Sequence, residues 1–153
     1  MANGLDRLFQ EWHHLGAAVL VSEVDARVVP RPPVDVIAES TAHCRESARL
    51  TWAVLDWMLQ HVDEINEEML LGKTEQFGDV SVLGVLADAA NQRKAHPKWR
   101  RLMESSRPHR DLAIFFYRVA ASPLASRLTR ENALDLFRRW NYLCSELRYL
   151  QDG

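Results

Sequence analysis

The chain is short of cysteine, of lysine and of long apolar runs, and each shortage narrows what it can be. Its two cysteines, Cys44 and Cys144, both sit inside apolar helical patterns. That excludes a disulfide framework and implies buried free thiols in a reducing compartment, for which the cytoplasm is the default. No segment approaches the ~20 apolar residues of a membrane span. The run from Leu15 to Val21 is short, lacks a basic stretch before it and is followed by Glu23 and Asp25, which is not the pattern of a secretory signal. Signatures of nucleophilic, phosphate-binding and metal chemistry are missing as well: there is no serine elbow, glycine-rich phosphate loop, zinc-spaced cysteine pair or calcium loop. Gly72, Lys73 and Thr74 match only the tail of a phosphate loop, without its upstream glycine and after a helical pattern instead of a strand.

What is present is a globular composition, 47% hydrophobic and 26% charged over 153 residues. This suits one domain spanning residues 1–153, large enough to bury about two-thirds of the surface its unfolded chain exposes. The longest pattern runs from Val34 to Leu71. Steps of alternately four and three connect Ile37, Thr41, Cys44, Ala48, Thr51, Leu55, Met58, Val62, Ile65 and Met69, one seam along a helix face. A second stripe of Ala38, Ala42, Trp52, Val54 and Trp57 widens it into a core-facing surface. With no proline and no glycine before the end of that stretch, the pattern predicts one central helix over 34–71, roughly 50 Å long, on which the others pack.

Further helices follow from spacing and caps. Leu5, Leu8, Phe9, Trp12, Leu15 and Val19 predict a first helix from about Gly4, ended either by Gly16 or near Asp25, so that 17–29 is open between extended and helical structure. The segment Pro30, Arg31, Pro32, Pro33 separates it from the central helix. A loop is expected over 72–79, after which Asp79 caps a helix from Val80 to about Gln92 that has hardly any polar face. Pro97 opens a short helix carrying Trp99, Leu102 and Met103 and ending at Ser105 and Ser106. Pro108 is expected to start another through Ala120. Thr129 caps a last one to about Leu150, with Glu131 in its first turn and a stripe from Ala133 through Trp140 and Cys144. The expected fold is all-α: about six helices in an irregular bundle or array.

A net charge of −2 hides a strong asymmetry. Met1 to Gln92 carries 6 Lys+Arg against 15 Asp+Glu, a net of −9, and Arg93 to Gly153 carries 13 against 6, a net of +7. The 16 arginines against 3 lysines are read as GC-rich bacterial coding and given no functional weight. The basic half is densest at Arg93, Lys94, Lys98, Arg100, Arg101, Arg107 and Arg110, with His96, His109 and Trp99 among them and Glu104 as the one acid. Several cations on one surface with an aromatic between them suit a nucleic-acid backbone and a stacked base, and the order of helix, turn and short basic helix loosely resembles a helix-turn-helix, although its turn has no glycine. The same run equally suits an acidic protein partner, or pairing within the molecule with Asp63, Glu64, Glu67, Glu68, Glu75 and Asp79.

Two smaller constellations invite chemistry. Glu39, His43 and Glu46, spaced by four and three, project from one face of a continuous helix and could share a metal or an acid/base proton, but no facing helix supplies matching ligands. Arg7 and His13 match the loose arginine-to-histidine spacing of the HEPN family of helical ribonucleases, a spacing that 16 arginines and 6 histidines also generate by chance. It lies at the opposite end of the chain from that family's usual arrangement, and membership is not drawn from it. The expected function is therefore a non-catalytic interaction or regulatory module of a bacterial cytoplasmic system, with no cofactor and no membrane association. Its partner is another protein or a second copy, since opposite charges in one chain favour a homodimer. The alternatives are a nucleic-acid-binding regulator using 93–110 and, third, a helical ribonuclease or metal-dependent enzyme.

Overall fold

The computed structural model describes residues 4–117 and 134–144. Of these, 62% are helical and 3% are in strands, so the chain is an all-α array. The helices are α1 (Gly4–His14), α2 (Pro33–Thr41), α3 (Ala48–Gln60), α4 (Glu67–Phe77), α5 (Val80–Arg93), α6 (Pro97–Ser105) and α7 (Asp135–Arg138). Tight 3-10 turns occupy Cys44–Glu46 and Val62–Glu64, and β1 (Ala113–Ile114) pairs in parallel with β2 (Tyr142–Leu143).

The expected 34–71 helix is instead α2, α3 and the start of α4, broken at two polar residues. Ser47 leaves the helical region at φ −148°, ψ 113°, and its side chain accepts the Leu50 N–H. Asn66 does the same at φ −89°, ψ 107° for Met69 N–H. Each gives the backbone a cap to start a new helix, which competes with continuing the old one. Burial nonetheless follows the predicted seam: Ile37, Thr41, Cys44, Thr51, Leu55, Met58 and Ile65 are all buried, whereas Met69 is exposed. The period reported which residues face inward, not that one helix carries them.

The central element is α5. Every residue from Ser81 to Ala90 is buried, and α5 packs against α2, α3, α4, α6 and α7. The Asp79 cap is formed as expected, its carboxylate accepting Ser81 N–H at 2.9 Å. The expected loop over 72–79 is replaced mostly by helix, because α4 continues through Gly72, Lys73 and Thr74 and stops only at Gly78. There the chain passes so close to α2 that a Cβ on Gly78 would stand 2.2 Å from both Ala38 O and Thr41 Oγ1. Gly16, at φ +85°, ends α1 in the left-handed region glycine tolerates. The following residues to Pro32 form neither helix nor strand.

The expected helix from Pro108 is not formed over 108–117. The run Ile114, Phe115, Phe116, Tyr117 is β-branched and aromatic, and β1 gains a strand partner in β2. The last predicted helix is interrupted as well: α7 spans four residues, and Asn141 turns the chain at φ 65° into β2. The predicted positions Ala120, Thr129, Glu131, Ala133 and Leu150 lie outside the described residues. Trp140 lays its ring on α5 at Gly84, where a Cβ would come within 2.4 Å of it.

Two sets of substitutions test this arrangement. Ser47→Ala and Asn66→Ala should each lower unfolding free energy by about 1 kcal/mol, additively, in urea titrations. Gly84→Ala should cost about 1–3 kcal/mol despite alanine's higher helix propensity, because Trp140 must move. A loss of near-ultraviolet circular dichroism should accompany it.

Candidate functional site

The basic run is divided by the fold into inward-tied and outward cations. Lys98 and Arg101, one helical turn apart on α6, point toward the start of α4. Lys98 Nζ donates to the carbonyls of Ile65 at 2.6 Å and Val62 at 3.0 Å, the latter also accepting the Ile65 N–H that closes the 3-10 turn. Arg101 pairs with Glu67 in the first turn of α4, and Arg107 lies 3.3 Å from Glu75. Trp99 is 1% exposed and offers no face to a base. His96 caps α6, its Nδ1 accepting Lys98 N–H at 3.1 Å. The remaining cations are Arg93 at the end of α5, Lys94 directly after it, Arg100 on α6 and Arg110 in the loop. Among the described residues no acidic partner reaches these four.

The carboxylate and histidine constellations do not assemble as the sequence suggested. With α2 ending at Thr41, Glu39 turns to Arg31, whose Nη2 donates to it at 2.6 Å. His43 Nδ1 donates to Glu46 at 2.6 Å in the 3-10 turn beyond. No group of three metal-ligating side chains occurs among the described residues. Arg7 and His13 stand about 120° apart around α1, as six residues on a helix require. Arg7 faces Glu11 at 3.7 Å, and His13 Nδ1 is 3.5 Å from Val19 O. His61 stacks on Trp57 at 4.2 Å between ring centres. Cys44 is buried and unpaired, its thiol pushed up to about 12 chiefly by burial, with Asp79 adding to the effect.

Sequence reasoning missed a different feature: the ordered irregular segment 17–32, laid across α1. Gln10 holds it by two bonds, Nε2 donating to Glu23 O at 2.7 Å and Oε1 accepting Asp25 N–H at 2.9 Å. His14 Nε2 donates to Asp25 O at 2.9 Å. Arg31 closes it by donating to the fully buried Glu11 through Nε at 2.9 Å and Nη2 at 2.6 Å. Held this way, the segment exposes Leu20 at 86% and Val29 at 80%, with Val24 half out. Signals for it were present in Gly16, the proline cluster and the four polar or charged residues of α1 that receive it. Trp12, Trp57, Trp99 and Trp140 are buried, so these tryptophans serve the core instead of a surface. Comparison with protein families, curated proteins and solved structures finds no match to this chain.

The buried carboxylate gives the segment a pH dependence. Burial acts to raise the Glu11 pKa, but hydrogen bonds from Arg31 outweigh it and hold the group below 4.5. A depressed folded value means the stabilisation is complete above about pH 4.5, the unfolded value, and is lost as pH falls through the folded value. Glu11→Gln should therefore flatten the stability-against-pH curve on that acid limb while lowering stability at pH 7. An acid limb as steep as the wild type's would show that Glu11 does not carry it.

Proposed function

We propose that this chain is a non-catalytic helical interaction module whose docking surface is segment 17–32 together with the face of α1 beneath it. One observation carries the reading: a segment of this length without regular structure is fixed by side-chain bonds while presenting Leu20 and Val29 to solvent. Long structureless segments in compact folds are uncommon and are disproportionately functional. Ordering such a segment costs conformational entropy, and displaying apolar side chains on it gains nothing within the monomer. A partner protein that buries them supplies the missing gain. The buried thiols Cys44 and Cys144 support a reducing, cytoplasmic setting, and the arginine-rich composition supports a bacterial one.

The nucleic-acid reading rests on Arg93, Lys94, Arg100 and Arg110. Four outward cations support a weak backbone contact, and the burial of Trp99 removes the stacking platform that single-strand binding uses. It is the second reading for that reason. Among the described residues Glu39, His43 and Glu46 form no three-ligand metal group.

Photocrosslinking amino acids placed at Leu20, at Val29 and, as a control, at Glu104 on α6 separate these readings in cells that make the protein naturally. Adducts of one discrete mass from Leu20 and Val29 but not Glu104 are expected; equal labelling at all three would overturn the reading. In parallel, titration with single- and double-stranded nucleic acid at about 50 and 200 mM salt should give no micromolar binding. A steep salt slope lost in Arg93→Ala/Arg100→Ala would transfer the function to the basic face.

A further inference from the structure

The acidic half of the chain contains six cations, and five are engaged. Arg7 faces Glu11, Arg27 pairs with Asp25, Arg31 with Glu11 and Glu39, and Lys73 with Asp35 at 3.0 Å. Arg45 donates to the carbonyls of Ile114 and Phe115. The sixth, Arg49, is different. Its guanidinium lies over the Phe9 ring, 4.4 Å from the centroid, and among the described residues no carboxylate or carbonyl accepts its N–H groups. Arg49 also occupies the first turn of α3, where no acidic residue accompanies it. A helix N-terminus carries partial positive charge, so a cation there is unfavourable unless something offsets it. Stacking on an aromatic leaves the planar fork fixed with its donors free, the state in which guanidinium recognises a carboxylate most effectively.

Arg49 and Phe9 line a groove of about 640 Å³ whose other walls are Asp6, Gln10, Leu20, Val21 and Ser22. One side is thus apolar, from the exposed segment, and the other carries a guanidinium fixed over Phe9. We infer that this groove takes a partner-protein segment in which an aspartate or glutamate sits beside apolar side chains, the carboxylate binding Arg49 and the apolar groups covering Leu20 and Val21. The inference deepens the proposed function and rests on it, since the groove is the α1 side of the same surface. Charge complementarity argues for the occupant: the groove holds Asp6 as its one acid, so an acidic residue directed at Arg49 and away from Asp6 has a single register, and a basic segment has no site on the Arg49 side.

The test is selection of random displayed peptides on the full-length chain, followed by anisotropy titration of the enriched peptide. Enriched sequences should carry Asp or Glu next to Leu, Ile, Val or Phe. Arg49→Gln should weaken binding about ten- to hundredfold, the range expected for a charged hydrogen-bonded pair. Replacing the peptide's own acid by its amide should cost the same, and the two losses should not add. Arg49→Lys, which keeps charge but not the fork, should fall between, and it serves as the second variant if Arg49→Gln alters the circular dichroism of the fold. Arg93→Gln should bind as wild type. Enrichment of sequences without acids, enrichment of nothing, or binding within twofold in Arg49→Gln would each overturn the inference. So would a wild-type dimer in sedimentation that Arg49→Gln disperses, which would make a second copy the occupant. If Leu20 and Val29 crosslink while peptide binding ignores Arg49, the interaction module stands and only the acidic partner fails.

Discussion

Asp79 and the glycine before it form the joint on which the array depends. Gly78 lets the end of α4 pass against α2 with no room for a side chain. The Asp79 N–H then donates to Thr41 Oγ1 at 2.9 Å, and the Thr41 hydroxyl in turn donates to Ala38 O at 2.6 Å. The Asp79 carboxylate starts α5 and also accepts from Ser81 Oγ, which in turn accepts from the Tyr142 hydroxyl at 2.7 Å. These two adjacent residues thereby fix the crossing of α2 and α4, the origin of the most buried helix and the position of β2. Burial pushes the Tyr142 hydroxyl up to about 12, with the Ser81 bond opposing, which keeps it a hydrogen-bond donor to Ser81 well above neutral pH.

Two buried carboxylates do for the irregular segments what Asp79 does for the helices. Glu11, fully buried on α1, holds segment 17–32 through Arg31, and Asp88, buried on α5, receives Arg139 at 2.8 and 2.9 Å and Trp140 Nε1 at 2.9 Å. Neither segment has a backbone ladder long enough to locate it. Burying an ion pair contributes little net stability against an apolar alternative, but removing one partner strands the other, so such pairs act as registers. Here each fixes where a non-helical stretch lies on a helix: 17–32 over α1, and the turn before β2 over Gly84.

Periodicity in the sequence made the core legible and left the breaks hidden. The 34–71 seam is buried almost throughout because hydrophobic spacing reports the inward face, which three successive helices satisfy as well as one. Ser47 and Asn66 are both good N-caps, and Glu67 and Glu68 after Asn66 mark a helix start. An uninterrupted apolar period outweighed them. At Asp79 and Pro97 the same cap logic succeeded, since there the apolar pattern also stopped. The C-terminal error has the opposite origin: the stretch from Pro108 read as a helix, but Ala113 and Ile114 pair in parallel with Tyr142 and Leu143, 29 residues away in register. Local spacing carries no information about a partner that distant.

The charge asymmetry was equally legible, and its meaning lay in contacts the sequence does not encode. Arg101 with Glu67, Arg107 with Glu75 and Arg139 with Asp88 each join the basic half to the acidic half within one molecule. Lys98 adds a fourth tie, to carbonyls instead of carboxylates, at Val62 and Ile65 on either side of the 3-10 turn. Opposite charges in the two halves thus act largely as internal docking, weakening both the argument for a broad cationic surface and that for a dimer held by bulk attraction. With five of the six cations in the acidic half engaged locally, the one that stands apart is more informative than a cluster. Arg49 stands apart in that way: it is the odd residue in a half with two and a half acids for each base, fixed by a ring and facing a groove whose apolar wall has no cover.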